Sequence, residues 1–365
     1  MNSRLTGLVW LACIALAACS GKPPPNPLSA APPPMAHNAS EESDTEDPCS
    51  LIEPKEAEAV LGAPLGTPPY RASNGNPQAD GPDCMYQTAN FHQIILTVEF
   101  KDGAQSYNMT GFAKKLLSGA PGEAEKKAFM MDDGTELAGE WDEAQLTAMN
   151  CCIFNTLRGD QMISIDFTGT DAKLPQAASL VDAAYKRIDK PLKLDGAANV
   201  AAAEAFLKTR PKPIAPCSVL SQSEVEAIVG PLLSPPVPGG VTNCEYKVPP
   251  KGGMPRSYEL HYNWQGGYAA VRSDAHVVGV GAVAVRGTVT DTFNEKVTTG
   301  ALGAAPPKTD DWLLQAGAPG DPWERAGMLY NDFVAIKKDV AIKIDHRNLD
   351  DDKVKALVTA AMHKF

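Results

Sequence analysis

The sequence predicts an α+β protein: two tandem copies of a small antiparallel-sheet domain with helices packed on it, each closed by one disulfide. Three observations predict this. First, a 15-residue stretch occurs twice, from Pro48-Cys49-Ser50 to Gly62 and from Pro216-Cys217-Ser218 to Gly230, and the copies share seven residues without a gap. Second, each copy is followed by Cys-x-Tyr, as Cys84-Met85-Tyr86 and Cys244-Glu245-Tyr246. Third, a period-two alternation recurs, with apolar faces Ile94, Leu96, Val98, Phe100 and Tyr258, Leu260, Tyr262, Trp264. Such alternation marks a strand with one face buried.

Taken in order, residues 1–18 read as an export signal. Arg4 supplies a short positive region, and the apolar run of residues 5–17 is too short to span a bilayer. The run ends in Leu16-Ala17-Ala18-Cys19, which resembles the lipobox of bacterial lipoproteins. That resemblance implies cleavage before Cys19 and lipid attachment, palmitate included, at Cys19, which becomes the membrane anchor. With Ser20 following, it also implies the outer membrane, facing the periplasm. A conventional signal peptide cut near Ala18 is the plainer alternative. Residues 19–47 read as a tether: Pro23 to Pro25, Pro27 and Pro32 to Pro34 favour extended polyproline conformation, and Glu41, Glu42, Asp44, Glu46 and Asp47 keep it solvated.

The first module is expected over 48–190, a linker over 191–213 and the second module over 214–365. In the first copy Pro54 suits the opening position of a helix, and Gly62 stops it. In the second, Ser221-x-x-Glu224 forms a capping box and Gly230 is the stop. After the alternating strand, helices are expected near 107–117 and 268–277. A tryptophan then recurs, Trp141 and Trp323. A hairpin follows, with turns at Arg158-Gly159-Asp160 and Lys337-Lys338-Asp339. Each module ends in a helix whose stripe is Leu180, Val181, Ala184, Ile188 or Leu357, Val358, Ala361, Phe365. Each copy thus reads as a helix, two strands, a helix, about three strands and a helix. Short turns between strands make the sheets antiparallel. The linker allows a short helix over 200–207, and the second copy carries an additional excursion over 279–322, rich in Gly, Pro and Thr.

Cysteine usage fits an oxidising compartment. Leaving out Cys13 and Cys19, six cysteines allow 15 pairings. The duplication selects Cys49–Cys84 and Cys217–Cys244, one bridge at matching places in each copy. Cys151-Cys152 has no counterpart in the second copy, where Tyr330-Asn331 stands. The pair is read as one buried and one exposed thiol, with a vicinal or an intermolecular disulfide as alternatives.

The Pro-Cys-Ser start, the Glu-rich helix ending in Gly and the later Cys-x-Tyr together resemble small bacterial envelope lipoprotein domains of unknown function. The resemblance covers about the first 50 residues of each copy. It implies a location and a disulfide, and it carries no catalytic residues.

The remaining chemistry is sparse. A net charge of −11, with no Lys/Arg cluster, argues against nucleic acid as a partner. Gly279-Val280-Gly281-Ala282-Val283-Ala284 fits a loose dinucleotide pattern but continues as strand-like sequence, so no cofactor is assigned. The six histidines show no metal-ligand spacing, so no metal is assigned. His261, between Glu259 and Asn263, lies on the polar side of its strand, and that side faces solvent or a ligand. Asp350-Asp351-Asp352 precedes the last helix and suits its N-terminus better than a calcium loop. Arg158-Gly159-Asp160 is read as a polar turn, not an adhesion signal. The resulting expectation is a non-enzymatic, lipid-anchored envelope protein that binds or scaffolds an envelope protein or a cell-wall component. The groove between modules and the 279–322 excursion are the expected contact surfaces. A periplasmic hydrolase with a site assembled from distant residues is the alternative.

Overall fold

In a computed structural model, residues 47–108, 126–131, 136–147, 152–274, 314–329, 332–345 and 349–365 are described. The signal, Cys19, nearly all of the tether, Cys151 and most of the 279–322 excursion lie outside this set. The first half begins with a 3-10 turn at Pro48–Leu51 and helix α1, Pro54–Leu61. Strands β1 (Tyr70–Ser73), β2 (Asn76–Pro77), β3 (Asp83–Gln87) and β4 (Gln93–Glu99) follow. After helical residues 103–108 come β5 (Lys126–Met130), β6 (Glu136–Leu146), β7 (Ile153–Arg158), β8 (Gln161–Gly169) and helix α2 (Leu174–Arg187). Helix α3 (Gly196–Leu207) falls in the expected linker. The second half has a 3-10 turn at Pro216–Ser218, helix α4 (Gln222–Val229), then β9 (Val237–Pro238), β10 (Asn243–Lys251) and β11 (Met254–Asn263). Helical residues 267–274 precede β12 (Gln315–Ala316), β13 (Arg325–Leu329), β14 (Asp332–Lys337), β15 (Val340–Asp345) and helix α5 (Asp351–Met362).

The strands form two antiparallel sheets, ordered β2-β1-β3-β4-β8-β7-β6-β5 and β12-β13-β14-β15-β11-β10-β9. Read from the disulfide-bearing strand, β3-β4-β8-β7-β6-β5 matches β10-β11-β15-β14-β13-β12, so the sequence repeat is a repeat of topology. Both disulfides form, Cys49–Cys84 and Cys217–Cys244. Both alternating faces are inside: Ile94 and Leu96 are fully buried, as is Leu260, with Tyr258, Tyr262 and Trp264 nearly so. The stripe of α2 closes the first core, and Val354, Leu357, Val358 and Ala361 of α5 close the second. The recurring tryptophan packs edge-on against a phenylalanine of the neighbouring strand in both halves, Trp141 on Phe154 and Trp323 on Phe333.

Six of the seven repeated residues have a visible job in both copies. The proline opens the 3-10 turn, and the cysteine forms the bridge. The serine hydroxyl donates back to a carbonyl three residues earlier, Ser50 to Asp47 at 2.6 Å and Ser218 to Ala215 at 2.7 Å. The first glutamate closes the capping box: Glu56 accepts from the Glu53 N–H and Glu224 from the Ser221 N–H, each at 2.8 Å. The second accepts a backbone N–H beyond the helix, from Leu65 to Glu58 and from Leu232 to Glu226. The glycine ends the helix at positive φ, 71° at Gly62 and 93° at Gly230. The repeated alanine, Ala59 or Ala227, is exposed in both copies, and nothing in the structure explains it.

Three features depart from expectation. The β1–β2 hairpin was not anticipated, although Asn74-Gly75 is a hairpin dipeptide and both residues have positive φ. Its strands are too short and too mixed in polarity to show a period. Helix α3 is more than a connector: buried Ala203 packs with Tyr70, Ala72 and Met85 of the first sheet. Cys152 is buried and disulfide-bonded, which corrects the preferred expectation of one buried and one exposed free thiol in favour of a disulfide; Cys151 lies outside the described residues.

Candidate functional site

Both halves contain a latch that sequence comparison missed. In the first, the Asp160 carboxylate accepts the N–H groups of Asp102 (3.1 Å) and Ala104 (3.3 Å), and its carbonyl accepts that of Gly103. In the second, the Asp339 carboxylate accepts the Gly266 N–H at 2.6 Å, and its carbonyl accepts that of Gly267 at 2.9 Å. A Cβ on Gly103 would collide with the Met162 backbone nitrogen, and one on Gly267 with that of Ala341. A hairpin-turn aspartate thus caps the start of the helical segment lying across its sheet. The aspartate of Arg158-Gly159-Asp160 is therefore engaged within its own domain.

Asp160 is exposed and Asp339 is buried, because the first half covers the second there. The two sheets belong to one compact unit, and a seam of polar side chains joins them. Arg210, just beyond α3, places Nε 2.8 Å from Asp339 Oδ2, meeting it as a charge more than along a hydrogen-bond axis. The same guanidinium covers the ring of Phe91, which packs on Phe206. Phe91 holds this position with φ of 65°, a strained conformation for a bulky residue. Next to it, His92 Nε2 lies 3.0 Å from Glu324 Oε2, and Asn90 donates to Glu324 Oε1 at 3.2 Å. The His92 ring also packs on Tyr268, centroids 4.4 Å apart.

The seam continues through two arginines. Tyr268 donates a short hydrogen bond to Asp171, and Arg325 bridges both, 2.8 Å from Asp171 Oδ1 and 3.2 Å from the Tyr268 hydroxyl. Arg272, 5 % exposed, reaches from the helical segment 267–274 into the first half. There it donates to the carbonyls of Phe167, Thr170 and Ala172 and lies over the Phe167 ring. A buried guanidinium is stable only with its donors satisfied, and the 167–172 turn supplies three acceptors.

The chemistry of this cluster is cohesive. Burial raises the Tyr268 phenol well above its ordinary range, with the Asp171 carboxylate adding to the effect, so it stays protonated and donates. Asp339 is pushed up to about 6 by burial, against the opposing influence of Arg210, the Gly266 N–H and His92. The carboxylate facing His92 and the arginines facing Asp171 and Asp339 are matched to one another.

Two partly open features lie on the second sheet. Asn243, Glu259 and His261 share a half-exposed polar stretch of one face: Asn243 donates a short bond to Glu259, and His261 Nε2 lies 3.6 Å from the same carboxylate. Asn263, expected beside them, turns instead to accept the Gln265 N–H. Lys343 pairs with Asp332 nearby at 3.2 Å. At the end of the β10–β11 hairpin, Leu233, Lys247, Val248, Pro250 and Arg256 line an open recess of about 320 Å³, and Leu233 itself is exposed. Asp350, at the start of α5, makes no side-chain cap. It pairs with Arg256 (3.4 Å) and Lys251 (3.5 Å), whose charges lower its pKa, Lys251 foremost.

Among the described residues, no group of three or more His, Cys, Asp or Glu side chains could hold a metal ion, and no helix is long and apolar enough to cross a membrane. No protein-family model matches the chain, and no curated protein and no solved structure matches it.

Proposed function

We propose that this chain is a non-enzymatic cell-envelope protein, lipid-anchored at Cys19, whose two-sheet body binds or scaffolds a neighbouring envelope protein or cell-wall component. The observation that carries the reading is how the polar groups are used. The repeated residues build the fold, and the titratable groups between the sheets are spent on one another. Among the described residues, the half-exposed polar stretch of the second sheet with His261, Glu259 and Asn243, and the recess at the β10–β11 hairpin, are left for recognition. The lipobox-like Leu16-Ala17-Ala18-Cys19 and the two disulfides support the location. The groove between modules is not offered as a contact surface, because the seam closes it with paired side chains.

Metabolic palmitate labelling of the full chain tests the anchor: Cys19→Ser should abolish the label and release the protein from membranes. Crosslinking in cells from His261 and Leu233 positions tests the surface. One dominant envelope partner at both positions, absent from probes on the opposite edge of the first sheet, is expected. Label retained by Cys19→Ser overturns the anchor, and turnover of a peptide, ester or glycan by the purified chain overturns the non-enzymatic reading.

A further inference from the structure

We propose, resting on the binding role above, that the recess at the β10–β11 hairpin receives the C-terminal end of a partner protein's peptide chain. The terminal carboxylate meets Lys247 and Arg256, and the apolar side chain next to it lies against Leu233, Val248 and Pro250. The apolar wall is built into the fold. Val248 is 4 % exposed and belongs to the second core, whereas Leu233 is 62 % exposed. Leu233 is nevertheless held in place: its N–H donates to the Lys247 carbonyl at 2.8 Å. Leu232 before it packs on the second core and donates its N–H to Glu226 at 3.3 Å. A leucine fixed by its backbone, with Val248 and Pro250 lining the same recess, is a small apolar surface and not a scattered residue.

The charges around the recess argue for an anion. Arg256, Lys251 and Lys353 all turn to one carboxylate, Asp350, at 3.4, 3.5 and 3.7 Å, and Lys247 lies 3.6 Å from Glu245. A charge-assisted hydrogen bond is roughly 2.7–2.9 Å long. These longer contacts keep the cations near the recess and let them turn to a second anion. Asp351 and Asp352 come next on α5 and are exposed to water, where screening weakens their pull. The whole chain carries −11, which repels an extended polyanion or an anionic bilayer, whereas a single carboxylate needs only the local field. A volume of about 320 Å³ lies at the small end of ligand sites, so the recess takes the end of a chain and not a run passing through. Glu245 and Ser257, also in the lining, can accept the last backbone N–H of the ligand. An inorganic anion would use the cations and leave the apolar wall unused.

The test is photo-crosslinking to the intact lipidated chain in phosphatidylcholine vesicles, with N-acetyl-Ala-Ala-photoleucine as the probe and mass spectrometry to locate the adduct. Adducts are expected within 231–235 and 247–257. The C-terminal amide of the same probe should label about tenfold less, because it loses a charge-assisted contact. Unlabelled N-acetyl-Ala-Ala-Leu should displace the probe, and inorganic phosphate at the same concentration should not. Lys247→Gln should erase most of the preference for the free carboxylate. Leu233→Ser should weaken labelling by acid and amide alike, by about tenfold. Both side chains are exposed, so neither change touches the core. If Arg256→Gln loosens the start of α5, these two positions still decide. Equal labelling by acid and amide, adducts scattered outside the hairpin, displacement by phosphate, or unchanged labelling of the Lys247→Gln, Leu233→Ser double variant overturns the proposal. In each of those cases the binding role itself stands as long as the Leu233 position still crosslinks to an envelope partner in cells. Cleavage of the probe by the purified chain overturns both.

Discussion

Asp160 and Asp339 occupy the same turn in the two sheets and begin with the same task, capping the segment that follows the alternating strand. Asp160 stays in water, whereas Asp339 is buried against Arg210, whose guanidinium lies over Phe91, and faces His92. The tyrosines of the two Cys-x-Tyr motifs diverge in a similar way. The Tyr86 hydroxyl donates towards the carbonyls of Cys49 (3.4 Å) and Ile52 (3.3 Å), tying strand to 3-10 turn. Tyr246 instead faces the Tyr262 hydroxyl, and neither finds a partner with good geometry. Duplication fixed a skeleton of disulfide, capped helix and sheet. The differences between the copies lie where one half must recognise the other and where the second core became aromatic.

The largest effect that could break this comparison concerns the part the halves share. Replacing Cys49 and Cys84 by alanine opens a separation of 35 residues, and replacing Cys217 and Cys244 opens one of 27. Each should cost about 3–4 kcal/mol in denaturant unfolding, with similar values for the two halves. A bridge whose loss costs nothing would mean that half does not depend on its closure.

Next comes the seam. Arg272→Ala strands the carbonyls of Phe167, Thr170 and Ala172 and should cost about 2–3 kcal/mol, read as a lower melting temperature with separation of the two halves. A smaller effect sharpens the tyrosine comparison. Tyr86→Phe should cost about 1 kcal/mol, whereas Tyr246→Phe, which removes a hydroxyl without a good partner, should be neutral or slightly stabilising. Equal losses would show that the two tyrosines still do one job. Smallest of all, Asp160→Ala removes an exposed cap and should cost about 0.5–1 kcal/mol in thermal melts.

Much of the fold was legible because local chemistry and repetition agree. Glu56 and Glu224 stand at the third helical position after Glu53 and Ser221, and Gly62 and Gly230 stand where a helix must reverse. The apolar faces of β4 and β11 alternate without interruption. Such signals live within about a dozen residues, and finding them twice removes most ambiguity. Contacts across the seam join residues that are far apart in the chain: Asn90 to Glu324, Asp171 to Tyr268, Phe167 to Arg272. Nothing near His92 in sequence announces Glu324, and a lone arginine in a helix gives no sign that it will find three carbonyls. The Asp160 and Asp339 latches were within reach, since Gly103 and Gly267 each follow their strand by a few residues. Their role became visible only once the turn and the segment were seen to meet. At Cys152 the sequence favours a free thiol because its neighbour has no counterpart in the second copy, and repetition, which selects the other two bridges, is silent there.

The claim tested most directly is that the seam makes two repeated domains behave as one body. Differential scanning calorimetry of the intact protein, with disulfides preserved, should show one transition whose calorimetric and van't Hoff enthalpies agree. Arg272→Ala should split it into two. Two independent transitions in the unaltered protein, or a single one that Arg272→Ala leaves unsplit, would contradict the account.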